Sequence, residues 1–100
     1  MDLLKTIPNK EIENICRNFS VKRLSLFGSA ARTDFISTSD IDILVEFLPN
    51  QAPSLGRLVE LQDELTDLLG RKVEVATVAI LNNPYRRRQI ESDLRELYAA

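Results

Sequence analysis

The sequence predicts an α+β fold, a small mixed β-sheet covered on one face by helices. Three observations predict it. Helical and strand periodicities alternate along the chain, in the order helix, strand, short helix, strand, long helix, strand, helix. Hydrophobic residues make up 44% of the 100 residues. That fills one core at a size where roughly 65% of the unfolded surface is buried. No repeat, low-complexity stretch or linker breaks the pattern, so residues 1–100 are expected to form one domain.

Each element has its own signal. Pro8 and Asn9 open a first helix, whose apolar Ile12, Ile15, Cys16 and Phe19 recur at i, i+3, i+4 and i+7. Residues 21–27 read as a strand ending at Gly28, followed by a short helical turn over 29–32. Residues 33–39 are polar, with turn chemistry in Asp34, Ser37, Thr38 and Ser39. The stretch 40–47 alternates cleanly: Ile41, Ile43, Val45 and Phe47 share one face, and Asp40, Asp42, Leu44 and Glu46 the other. Leu48, Pro49 and Asn50 end it.

Ser54 suits the cap of a long helix carrying Leu55, Leu58, Val59, Leu61, Leu65, Leu68 and Leu69, with Gly70 just past its end. Residues 72–77 form a third strand, with Val73 and Val75 inward and Glu74 outward. Asn83 and Pro84 suit the N-cap and first position of a last helix with an apolar stripe of Ile90, Leu94, Leu97 and Tyr98. The uncovered face of the sheet then carries Asp40, Asp42 and Glu74 together.

Composition excludes several chemistries. Thirteen Lys and Arg against fifteen Asp and Glu leave a net charge of −2, which argues against direct nucleic-acid binding through a net basic face. With no histidine and a single cysteine, Cys/His zinc sites, internal disulfides and histidine-based nucleophilic triads are all ruled out. The start of the chain, Met1 to Lys5, lacks a signal-peptide apolar region, and no apolar run suits a membrane span. A cytoplasmic location is expected.

The candidate chemistry lies in two short motifs. Asp40 and Asp42 sit at i and i+2, so both carboxylates leave one strand face about 7 Å apart. Two such anions repel unless a cation intervenes, and all-oxygen ligands suit Mg²⁺ or Mn²⁺. A bare Asp-x-Asp is more often a solvated strand face. Gly28 and Ser29, between a strand and a helical turn, offer a close backbone approach and an anion-binding set of N–H and hydroxyl donors. Alone they are an ordinary capped turn; what matters is their combination with Asp40 and Asp42 after ten intervening residues.

The pattern Gly28-Ser29-x10-Asp40-x-Asp42 is similar to the signature of the DNA polymerase β-like nucleotidyltransferases. The chain length and the runs 27–32 and 39–45 resemble the minimal nucleotidyltransferase (MNT) antitoxins. The resemblance implies a polymerase β palm-like fold, with Asp40, Asp42 and a third carboxylate holding two divalent metals. Glu74 stands in the third place, where the family more often has Asp, and Thr33 stands where a Gly is common.

The implied reaction is nucleotidyl transfer from ATP with Mg²⁺, Gly28, Ser29 and Arg32 contacting the nucleotide. The implied role is antitoxin of a type VII toxin–antitoxin pair that moves AMP to a tyrosine of a HEPN-domain ribonuclease toxin. Such an acceptor arrives in trans, which suits a chain this short. Two alternatives stand: a non-catalytic module that silences its partner by contact alone, and a nucleotidyltransferase acting on another acceptor.

Arg86, Arg87 and Arg88 follow Tyr85 at the start of the last helix, where cations oppose the helix dipole. At 100° per residue at most two share a face. They read as a solvated helix end, or as a holder of triphosphate, RNA or an acidic partner surface. Tyr85 and Tyr98 read as core-rim residues, and Cys16 as a small buried hydrophobe.

Overall fold

The computed structural model describes residues 7–31 and 40–100. Helix α1 (Asn9–Asn18) leads into strand β1 (Val21–Phe27), which passes straight into a 3-10 turn (Gly28–Ala31). Strand β2 (Ile41–Phe47), helix α2 (Leu55–Leu69) and strand β3 (Val73–Thr77) follow. A second 3-10 segment (Val78–Asn82), helix α3 (Pro84–Asp93) and strand β4 (Arg95–Ala99) complete the order.

The expected boundaries of α2 and the expected start of α3 hold for physical reasons. The Ser54 hydroxyl accepts from the Arg57 N–H at 3.2 Å, and α2 ends at Gly70 in the left-handed conformation (φ 70°). Asn83 Oδ1 accepts from the Tyr85 and Arg86 N–H groups at 3.0 and 3.3 Å, with Pro84 opening α3. Among the described residues, no helix is long and apolar enough to cross a membrane.

The strands form one mixed sheet in the order β3-β2-β1-β4. β1 is antiparallel to β2 and β4, whereas β2 and β3 run parallel. A parallel pair needs a long crossover, and the 15 residues of α2 supply it. A bulge between Val21 and Arg23 shifts the register by one residue. It brings Val21 onto the same face as Leu24 and Leu26, three residues whose spacing would otherwise split them between faces.

Strand β4 departs from the expectation of a last helix reaching Tyr98. The helix stops at Asp93; Leu94 adopts an extended conformation (ψ 132°), and residues 95–99 pair with β1. The apolar spacing of Leu94, Leu97 and Tyr98 imitates a helix face. Here it arises from a second bulge, because Tyr98 pairs with Leu24 and Glu96 with Ser25, leaving Leu97 as the extra residue. Pairing with residues 95–99 satisfies the outer N–H and C=O groups of β1, which would otherwise form an edge.

Helices α1 and α2 cover one sheet face, where Ile12, Cys16, Leu24, Leu26, Ile41, Ile43, Val45, Leu61 and Leu65 are all fully buried. The Cys16 thiol lies in this core, and burial pushes its pKa up to about 12. The opposite face carries a smaller cluster of Phe27, Leu44 and Ile90, closed by Ile80, Leu81 and Leu94. Helix α3 therefore roofs part of the face that also bears Asp42.

Leu65→Ala should cost about 2–5 kcal/mol in urea unfolding, because it opens a cavity in the main core. Leu55→Ala, on the same helix but 78% exposed, should stay within about 0.5 kcal/mol. Equal losses at the two positions would refute this assignment of the core face.

Candidate active site

The sheet register assembles the acidic residues. Asp42, the second residue of β2, pairs across the sheet with Phe27 on one side and Glu74 on the other. Partners in a parallel pair project to the same face, so Asp42 and Glu74 stand side by side; Asp40, two residues before Asp42, precedes the strand on that face. The Ile41 N–H donates to the Lys72 carbonyl at 2.9 Å and ties β2 to the start of β3.

Gly28 follows Phe27 and closes the site from the β1 side. Its φ is +68°, and a Cβ built there would lie only 2.7 Å from Asp42 Oδ2. Both facts demand glycine: a side chain would be strained by the backbone and would strike the carboxylate. The Asp42 carboxyl is held above its ordinary pKa by partial burial first, then by the negative charges of Glu74 and Asp40. The positive charge of Arg86 acts in the opposite direction. An excess of negative charge thus surrounds a half-buried carboxylate.

Glu74 is more exposed, and its Oε1 lies 3.7 Å from Lys72 Nζ. Among the described residues, no three carboxylate, thiol or imidazole side chains converge closely enough to hold a metal ion as they stand. The donor chemistry nevertheless fits a hard divalent cation: oxygen atoms only, on one sheet face, with uncompensated negative charge. Rotation of Glu74 away from Lys72 is the adjustment a third ligand requires.

The remaining candidates fall as follows. Ser29 belongs to the 3-10 turn after Gly28, but its side chain and the whole of Arg32 lie outside the described residues, as do residues 33–39. Tyr98 packs partly buried against the main core, while Tyr85 is 82% exposed and is no part of the core rim. Arg87 pairs with Glu91 at 2.8 Å on the outer side of α3. A cleft of about 450 Å³ separates Gly28 from the α3 face formed by Arg86, Gln89, Ile90 and Asp93. The arginine run stands out in the sequence, but which member turns toward the acidic site depends on how α3 is rotated over the sheet.

Comparison with known proteins bears on the family and the fold. The profile described as nucleotidyltransferase domain matches residues 9–97. A candidate protein adenylyltransferase of Methanocaldococcus jannaschii is 41% identical over 91 residues, spanning 91% of each chain. The protein adenylyltransferase MntA of Thermococcus cleftensis is 30% identical over 83 residues, covering 83% of this chain and 82% of its own. Among solved structures, a candidate minimal nucleotidyltransferase superposes with a TM-score of 0.73 at 28% identity, covering 95% of both chains. A chain of a toxin–antitoxin complex with AMP-PNP has a TM-score of 0.73 at 21% identity, covering 94% of this chain and 75% of its own. A chain of the complex between a tri-AMPylated HEPN toxin of Shewanella oneidensis and its MNT antitoxin has a TM-score of 0.63 at 20% identity, covering 92% of this chain and 70% of its own. These last two likenesses speak for the fold.

Gly28→Ala should cost about 1–3 kcal/mol in urea unfolding, from left-handed strain plus the clash with Asp42. Part of that loss should return when Asp42→Ala is added, since the carboxylate is then gone. Strict additivity of the two substitutions would show that the contact has no energetic weight.

The raised pKa of Asp42 also fixes a sign. The folded state binds its proton more tightly than the unfolded state, so its stabilising contribution is full below the ordinary value of 3.8 and is lost as pH rises through the folded value. In metal-free buffer, Asp42→Asn should therefore raise Tm at pH 7 by more than at pH 3. Scanning calorimetry at both values tests this, and a larger gain at pH 3 would contradict the direction.

Proposed function

Since this chain belongs to the nucleotidyltransferase domain family, we propose that it transfers AMP from ATP to a tyrosine of a HEPN-domain toxin and so acts as an antitoxin. The observation that carries this reading is the contact of Asp42 with the Gly28 turn, with Glu74 in register beside it. That arrangement sets a backbone able to approach phosphate closely next to carboxylates short of positive charge.

In the reaction, the acceptor hydroxyl oxygen attacks the α-phosphorus of ATP. The bond from the α-phosphorus to the bridging oxygen breaks, pyrophosphate leaves and the hydroxyl proton passes to a base. Gly28, through its N–H, and Ser29 bind the β- and γ-phosphates, and Arg32 contacts the same chain. Asp40, Asp42 and Glu74 are the residues that would hold two Mg²⁺ ions, or Mn²⁺ in their place. When bound, the ions supply neutralisation of phosphate charge and a lowered pKa for the attacking hydroxyl. Glu74, turned away from Lys72, would accept the proton.

The Glu74–Lys72 pair favours a second reading, in which the third ligand is lost and the chain silences its partner by contact alone. Intact-mass spectrometry separates the two. After incubation of the co-expressed partner with this chain, ATP and Mg²⁺, the partner should gain one or more AMP units. Asp42→Asn should slow that gain by roughly 10³-fold or more, the scale of losing a group that acts in the transition state. A stable complex with no mass gain would establish contact alone.

A further inference from the structure

The three consecutive arginines at the head of α3 are not equivalent. Arg87 is engaged with Glu91 on the exposed side. Arg88 lies about 200° around the helix from Arg86. Arg86 lines the cleft against Gly28, on a face continued by Gln89, Ile90 and Asp93 at i+3, i+4 and i+7. Ile90 anchors that face, buried against Phe27 and Leu44 on the sheet. At its N-terminal end the first turn is held by Asn83, whose side chain accepts from the Arg86 N–H itself.

We propose that Arg86 binds the phosphate chain of the nucleotide, reaching across the cleft to the same phosphates that meet the Gly28 turn. The inference rests on the nucleotidyl-transfer reading and adds to it a cation from an element remote in sequence from the Gly-Ser motif. Two further observations support it. Among the described residues Arg86 has no carboxylate partner in an ion pair, and it is the cation whose charge reaches Asp42. A cleft of about 450 Å³ is of the size that takes a small ligand rather than a folded surface. A guanidinium there can grip two phosphate oxygens through two parallel N–H groups, a fixed fork that an ammonium does not offer.

The test is direct binding of α,β-methylene-ATP, whose carbon bridge between the α- and β-phosphorus blocks AMP transfer, to the full chain with Mg²⁺ by isothermal titration calorimetry. Arg86→Gln should raise Kd by roughly 10- to 100-fold, the scale of a lost charge-assisted hydrogen bond. Arg86→Lys should recover part of the loss, and Arg87→Gln and Arg88→Gln should bind within about threefold of the parent at the same salt concentration. Unchanged thermal melts would show that each variant remains folded, and Arg86→Lys retains the charge should the glutamine variant melt early.

An Arg86→Gln variant that binds as tightly as the parent would overturn the proposal, as would equal losses from all three arginines. Loss of the partner complex with nucleotide affinity intact would assign Arg86 to the protein interface and likewise overturn it. Failure of the parent chain itself to bind the nucleotide would remove the nucleotidyl-transfer reading together with this one, a result distinct from the others.

Discussion

The contact between the Asp42 carboxylate and the Gly28 backbone is the constraint on which the rest of the site depends. It requires that β1 end one residue before Gly28 and that β2 begin one residue before Asp42, in the antiparallel register that pairs Phe27 with Asp42. It also requires that residue 28 have no Cβ, since that atom would lie 2.7 Å from the carboxylate oxygen. A one-residue slip of β2 would turn Asp42 into the main core and a buried isoleucine out of it. The hydrophobic pattern of Ile41, Ile43 and Val45, all fully buried, therefore fixes the geometry of the acidic face as firmly as it fixes the core.

The two faces of the sheet perform different tasks. The α1–α2 face carries the main core and with it most of the hydrophobic stabilisation. The other is divided between a small apolar cluster under α3 and an open acidic edge. Leu44 and Asp42 illustrate the division: two residues apart on β2, one is under α3 and the other is half-buried against a turn. Negative charge gathered on that edge opposes folding to the extent that Asp42 is desolvated, a conflict between stability and chemistry common at functional sites.

Much of this was legible locally. The caps at Ser54 and Asn83, the left-handed Gly70 and the alternation along β2 each express a short-range rule, and each holds. The acidic residues were legible because a spacing of two in a strand places both carboxylates on one face, and the Gly28-Ser29 turn because its spacing from them resembles a known signature. Strand β4 was not legible. Its apolar residues are spaced as on a helix face, and only the bulge opposite Leu24 and Ser25 reconciles that spacing with a strand. The identity of the arginine facing the cleft was hidden for a related reason, since the rotation of α3 is set by Ile90 packing on Phe27 and Leu44.

The sequence by itself determined the α+β class, the order of the α-helices and strands as far as α3, the buried faces of β2 and β3, and which residues are candidates for phosphate chemistry. Those properties follow from periodicity, capping and side-chain chemistry, all set within a few residues of the chain. The tertiary structure alone decided that residues 95–99 complete the sheet, that Asp42 sits in register with Glu74 and against Gly28, and that Arg86 rather than Arg88 lines the cleft. Each of these depends on pairing or packing between segments far apart in sequence, and pairing energy of that kind exists only once the chain has closed on itself.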